Sequence, residues 1–262
     1  MLAYSLAILI GLILGLLGGG GSILTVPILV YILGIDPKEA VALSLFIIGI
    51  TSLVGSIGHF KNKNINFKIS LIFTPIAMIG TFFGTKLAFY LTGSTQLMIF
   101  AIVMILASTL MLKKPKYSEG TNHRVNYYLM TPVSFFVGVL TGIVGVGGGF
   151  LIVPALVLIG RVDMKKAVGS SLLIISVNSL SGFLNYLNAF EIDWGFLASF
   201  STFTVIGILI GTKLIKYIPA QGLKKAFAIF LIIMGIFILY KNKNKLESKT
   251  SYFHFDQIIK TV

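Results

Sequence analysis

Residues 11–27 read GLILGLLGGGGSILTVP, and residues 138–154 read GVLTGIVGVGGGFLIVP. The same shift of 127 residues pairs 11–86 with 138–213 without a gap, and 29 of the 76 paired positions are identical. Shared composition does not keep one register over such a length. The chain therefore contains an internal duplication, and each copy opens with an apolar run that is broken by glycines and followed by a proline.

The composition is that of a membrane protein. Of the 262 residues, 56% are hydrophobic and only 11% are charged, and the mean hydropathy is +0.97. Soluble domains carry about a quarter charged residues. The net charge of +13 does not indicate nucleic acid, because most of the basic residues flank the apolar segments, as in membrane topology signals. We expect a multi-pass protein of the cell membrane that contacts lipid, with no nucleic-acid partner.

The pattern predicts an all-α integral membrane protein with about eight hydrophobic membrane segments. Each copy has two short apolar pieces around its glycine-rich break, which we interpret as broken or re-entrant helices, and then three longer pieces. The short pieces are 3–17, 22–34, 128–144 and 149–160. The longer pieces are 39–60, 69–91, 96–112, 166–187, 195–215 and 222–240. The predicted units are a first repeat (1–112), a polar linker (113–126), a second repeat (127–240) and a polar C-terminal tail (241–262).

Equivalent loops of the two copies carry opposite charge. The connection after the first long piece holds Lys61, Lys63 and Lys68, whereas its counterpart holds Glu191 and Asp193. The turn before that piece is net −1 in the first copy and net +2 in the second, from Asp36, Lys38 and Glu39 against Arg161, Asp163, Lys165 and Lys166. Because Lys and Arg mark the cytoplasmic side, the copies are expected to have inverted topology, with the central linker cytoplasmic.

The sequence offers little for catalysis or metal binding. All eight acidic residues lie in predicted loops or at segment ends, and the chain has no cysteine. The three histidines lie at a segment end, in the linker and in the tail. We therefore expect no enzyme activity, no metal and no cofactor. With no carboxylate to hold a coupling ion, transport down the electrical gradient alone is the simplest expectation, and His59 or backbone carbonyls are the alternatives.

Uncharged polar groups are the candidates for a binding site. A glycine run interrupts a helix, and the helix that follows offers unpaired backbone N–H groups and the positive end of its dipole, which suit an anion. Hydroxyl and amide side chains follow along the first long helix of each copy. The candidate site residues are Gly20, Gly21, Ser22, Ser44, Thr51, Ser52, Gly147, Gly148, Gly149, Ser170, Ser171 and Asn178. The Gly-x-x-x-Gly pairs at 11/15, 80/84, 138/142 and 207/211 are expected to pack helices together instead.

The glycine-rich openings with their downstream prolines, 15–27 and 142–154, resemble the TauE/SafE family of sulfite exporters. The segments 40–44 (AVALS) and 167–171 (AVGSS) resemble it too, and the likeness extends over residues 5–240. It implies export of sulfite, sulfoacetate or a related small anion across a prokaryotic cytoplasmic membrane. The alternatives are a membrane scaffold or assembly factor that transports nothing, and a transporter of another small solute. The sequence leaves the oligomeric state open.

Overall fold

The computed structural model describes residues 2–112, 127–144, 149–187 and 191–259, and within these the regular structure is entirely helical. The α-helices are α1 (Leu2–Leu17), α2 (Gly20–Pro27), α3 (Pro37–Lys61), α4 (Phe67–Ala88), α5 (Gly93–Leu112), α6 (Tyr127–Val144), α7 (Gly149–Pro154), α8 (Met164–Leu184), α9 (Trp194–Leu214) and α10 (Ala220–Ile259). A π-helical segment extends α2 over Ile28–Ile32, and another extends α7 over Ala155–Ile159. A 3₁₀ turn, Ile215–Tyr217, follows α9.

The long and short pieces that the sequence predicts are those that the structure contains. Among the described residues, six helices are long and apolar enough to cross a bilayer: α3, α4, α5, α8, α9 and the first part of α10. The shorter apolar helices form two hairpins, α1 with α2 and α6 with α7. At 1.5 Å per residue, the 16 residues of α1 are about 24 Å long, less than the ~30 Å hydrocarbon core.

Polar caps fix where the long helices begin. The Asp36 carboxylate accepts a hydrogen bond from the Lys38 N–H (2.9 Å), and Pro37 occupies the first helical position of α3. Asp193 caps α9 by accepting from the Phe196 N–H at 2.9 Å. These acidic residues of the predicted loops therefore serve as N-caps at helix starts.

Two pairs of helices meet backbone to backbone through their Gly-x-x-x-Gly pairs. A Cβ on Gly207 would collide with the Ile8 carbonyl, and one on Gly211 with the Leu12 carbonyl, so α1 and α9 pack in parallel. The α4–α6 pair repeats this contact, with Gly80, Gly84, Gly138 and Gly142 at the interface. The packing role predicted for these glycines is confirmed. Each pair joins one helix from the first repeat with one from the second, so the repeats are interlaced.

The equivalent helices α3 and α8 cross at the centre of the molecule and are its most buried candidate spans. Gly49 lies against Leu180, Gly55 against Leu172 and Leu45 against Gly182, so the two helices run antiparallel. Equivalent helices that pack antiparallel are related by an axis perpendicular to their length. This is the arrangement that inverted repeats require.

The inverted arrangement predicts that single cysteines at Asn62 and Glu191 face opposite sides of the membrane, since these residues follow the equivalent ends of α3 and α8. The sequence has no cysteine, so each variant carries one reactive thiol. Labelling intact cells with a membrane-impermeant maleimide should mark one variant and leave the other unlabelled until the membrane is permeabilised. Labelling of both from the same side would contradict inverted topology.

Candidate functional site

The two glycine-rich breaks meet at the start of α2 and α7. A Cβ on Gly19 would collide with the backbone of Gly149, so the chains touch at these residues without side chains between them. Gly18 has φ +73°, a left-handed conformation that glycine adopts at little cost and that turns the chain from α1 into α2. A Cβ on Gly18 would lie 2.7 Å from the Ser171 Oγ, which places the break against α8.

The predicted site glycines of the first break pack against α1 instead of the second break. A Cβ on Gly20 would lie 2.9 Å from the Leu17 Cδ1, and a Cβ on Gly21 would collide with the Ile10 carbonyl. The structure thus assigns both residues to the hairpin contact, and a role in substrate binding remains a prediction for them. Of the predicted residues of the second break, Gly147 and Gly148 lie outside the described residues.

Several predicted hydroxyl groups bond to backbone of their own segment. Ser44 donates to the Val41 carbonyl and its repeat counterpart Ser171 to the Val168 carbonyl, each at 2.8 Å. Ser22 donates to the Gly19 carbonyl at 2.6 Å. A serine bonded in this way still offers its oxygen as an acceptor, but its proton is already used.

Ser170 differs from its neighbour Ser171 in the helix to which it bonds. Its Oγ accepts a hydrogen bond from the backbone N–H of Asn66 at 2.8 Å, and Asn66 is the N-cap of α4. The preceding residue, Gly169, lies against the Asn64 carbonyl. The structure therefore uses Ser170 to hold the α3–α4 connection on α8.

Thr51 and its repeat counterpart Asn178 have different surroundings. The hydroxyl groups of Thr51 and Thr204 are 2.6 Å apart, and Thr51 also donates to the Ile47 carbonyl at 2.6 Å. Asn178 is fully buried, and neither its Oδ1 nor its Nδ2 has a hydrogen-bond partner among the described residues. The residue equivalent to Thr204 is Ala77, which has no polar side-chain atom. Substitution at that one position explains why the carboxamide lacks a partner.

Two more free hydroxyl groups accompany this carboxamide. Ser52 and its counterpart Ser179 are fully buried, and the Oγ of each is without a hydrogen-bond partner in the part of the chain that the structure describes. Ser52 lies between Gly49 and Gly55 of α3, and Ser179 lies between Leu172 and Leu180 of α8. Both residues therefore belong to the contact zone of these two helices. We call Ser52, Asn178 and Ser179 the central cluster. Ile175 packs against Gly149, so Asn178 lies less than one helical turn beyond the meeting point of the breaks.

Gly19 and Ser179 were not among the predicted site residues. The repeat counterpart of Gly19 is Val146, so a choice guided by matching positions passes over it. Ser179 is paired with Ser52, which was chosen, and that match was the available signal. Ser171 is hydrogen-bonded and Ser179 is not, and residue types alone do not predict this difference.

Charged groups lie at the periphery of the described structure. Lys86 is exposed near the end of α4, with its Nζ 4.4 Å from the centre of the Phe82 ring.

His59 is buried at the end of α3, where its Nε2 is 3.3 Å from the Gly15 carbonyl oxygen at the end of α1. Beyond the equivalent end of α8, burial raises the pKa of Tyr186 to about 12, so this residue is neutral at physiological pH. Within the described residues, no group of three His, Cys, Asp or Glu side chains could hold a metal ion.

Comparison with known proteins gives a consistent result. The family model described as sulfite exporter TauE/SafE matches residues 3–238. A probable membrane transporter protein of Xylella fastidiosa strain Temecula1 is 30% identical over 241 residues, covering 89% of this chain and 92% of that protein. Probable membrane transporter protein YdhB of Bacillus subtilis is 27% identical over 92% of this chain and its own full length. Probable membrane transporter protein YfcA of Escherichia coli is 24% identical over 90% of this chain and 88% of its own.

The family model spans both repeats and every helix that bears on the central cluster, from α1 to α9. Six of the described helices are long and apolar enough to cross a bilayer. The chain is therefore a multi-pass membrane protein that belongs to the sulfite exporter TauE/SafE family.

Proposed function

We propose that this protein transports small sulfur-containing anions, such as sulfite, sulfoacetate and other organosulfonates, out across the cytoplasmic membrane. The observation that carries the proposal is the central cluster. An unpaired polar group buried in a membrane protein costs free energy on the order of 1–3 kcal/mol. A ligand that pairs with Ser52, Asn178 and Ser179 recovers that cost.

The available donors suit an oxyanion. The hydroxyl groups of Ser52 and Ser179 and the amide of Asn178 together supply four donor hydrogens, two from the hydroxyls and two from the amide. At the glycine contact nearby, α2 begins with backbone N–H groups that no N-cap side chain satisfies, since its N-cap is Gly19. Neutral donors bind an anion without trapping it as tightly as a buried lysine or arginine would, and a transporter must also release its substrate.

Inter-helix contacts divide the central helices into two bundles. In the first, α3 is tied to α9 by the Thr51–Thr204 pair and to α1 by His59 at the Gly15 carbonyl. In the second, α4 is tied to α8 by the 2.8 Å hydrogen bond from the Asn185 amide to the Thr85 hydroxyl. The same bundle includes α6, whose Gly138 carbonyl accepts from Thr81 at 3.2 Å. We call these the α1–α3–α9 bundle and the α4–α6–α8 bundle.

The two bundles face each other where α3 crosses α8. Ser52 and Ser179 lie in this contact zone, and Asn178 is the neighbour of Ser179 on the side of α8 that faces α4. The glycine contacts across the crossing are with leucine side chains, whereas side-chain hydrogen bonds accompany the packing contacts inside each bundle. Leucine side chains can slide over a glycine more readily than a hydrogen-bonded pair can separate. We therefore infer that transport proceeds by rocking of one bundle against the other around the central cluster.

Liposomes that contain the purified protein and are loaded with sulfite should release it when a membrane potential is imposed. Gly19→Leu should reduce this efflux to the level of protein-free liposomes. A leucine there would force apart the backbones that meet at Gly149. Gly222→Leu is the matched control, because a Cβ on Gly222 meets nothing closer than the Pro219 Cγ at 3.4 Å. Efflux by Gly19→Leu equal to that of the control, at equal incorporation, would refute a site at the breaks.

Engineered disulfides distinguish motion between the bundles from motion within them. Gly49→Cys with Leu180→Cys links α3 to α8 across the boundary, and Gly58→Cys with Thr212→Cys links α3 to α9 inside one bundle, where the two Cβ positions are 3.3 Å apart. Oxidation should block sulfite transport in the first pair, and reduction should restore it. The second pair should transport in both states. Transport by the oxidised first pair would contradict rocking at the α3–α8 boundary.

A further inference from the structure

The central cluster is less symmetric than the repeat that builds it. The Thr51 hydroxyl is paired with Thr204, while the whole carboxamide of Asn178 is free within the described structure. The contact between Gly182 and Thr81 sets the register of α8 on α4, and one turn earlier it places Asn178 level with Ala77. The helix that supplies a partner to Thr51 in one half therefore supplies none to Asn178 in the other.

A free carboxamide has two different requirements. Its nitrogen carries two donors, and its carbonyl oxygen accepts hydrogen bonds. Exchanging the two atoms by rotating the amide group does not change this, because neither atom has a partner. An anion with acceptor oxygens alone satisfies the nitrogen and leaves the carbonyl unpaired. Only a ligand that also brings a donor satisfies both.

We propose that Asn178 is a specificity-determining residue that selects small anions bearing a hydrogen-bond donor of their own. This inference rests on the proposed transport of sulfur-containing anions and narrows it to one class. The class comprises sulfonates with a hydroxyl or ammonium group and sulfite in its singly protonated form, rather than the sulfite dianion or an alkylsulfonate. The anionic oxygens accept from the Asn178 amide, and the ligand's donor binds the Asn178 carbonyl.

The size of the preference follows from the cost of an unpaired carbonyl. Leaving one buried acceptor unsatisfied costs about 1–3 kcal/mol, and 1.4 kcal/mol is a factor of ten in affinity. Sites that hydrogen-bond a hydroxyl group reject analogues that lack it much more strongly than apolar pockets reject a missing methylene. We therefore expect a preference of at least about fivefold for the donor-bearing member of a matched pair of ligands.

Ethanesulfonate and 2-hydroxyethanesulfonate form such a pair, since both are monoanions at neutral pH and differ by one hydroxyl group. Each is used as a competitor of radiolabelled sulfite efflux from proteoliposomes at one fixed pH. In the wild-type protein, 2-hydroxyethanesulfonate should inhibit at a concentration at least about fivefold lower than ethanesulfonate. In Asn178→Leu, the two should inhibit at equal concentrations. Thr141→Val is the matched control, and it should keep the wild-type preference because the buried Thr141 hydroxyl is bonded to the Val137 carbonyl of its own helix.

The outcomes separate this inference from the function on which it rests. If the wild type moves no sulfite, the proposed function fails. If it moves sulfite and both competitors act equally, the function stands and the role of Asn178 is refuted. A preference that survives in Asn178→Leu also refutes it. Should Asn178→Leu lack activity, Asn178→Val, which also lacks an acceptor, takes its place and should likewise lose the preference.

Discussion

Close backbone contact between helices of different repeats is the constraint on which the rest of the structure depends. Lipid tails are as apolar as leucine, so helices in a bilayer are held together by packing and by hydrogen bonds between them. Here α1 packs on α9, and α4 on α6, with glycine against carbonyl. A side chain larger than hydrogen at Gly11, Gly15, Gly80 or Gly84 would separate these helices. Because each pair joins the two repeats, neither repeat packs as a unit by itself.

This interlacing leaves α3 and α8 facing each other where the two bundles meet. Among the described residues, buried polar groups without partners occur on these two helices at Ser52, Asn178 and Ser179, and elsewhere at Tyr31, His59, Gln96 and Ser201. Intramembrane polar groups are costly and mark substrate paths in many transporters. In the proposed mechanism, the contacts that fix the bundles place these donors near the crossing at which the bundles would move relative to one another.

Much of this could be predicted from the sequence. The shift of 127 residues identifies equivalent helices, and helix boundaries follow from apolar length and capping residues such as Asp36. The hydrogen-bonding state of each hydroxyl could not be predicted, since it depends on rotamers and on neighbours distant in the chain. Ser171 bonds its own helix whereas Ser179, eight residues later, does not. Gly19 was missed because its significance lies in its contact with Gly149, a residue distant in the chain.

A tryptophan lies beside the α3–α8 boundary, where its fluorescence can report movement of the two helices. Trp194, the only tryptophan in the sequence, has its ring 6.1 Å from that of Phe46 on α3 and 6.3 Å from that of Phe183 on α8, measured between ring centroids. Relative movement of the two bundles changes at least one of these contacts. The most direct measurement is therefore the fluorescence of Trp194 in the purified protein during titration with sulfite. The account predicts a saturable change that Asn178→Leu weakens, whereas a wild-type signal that does not change or never saturates would contradict binding at this boundary.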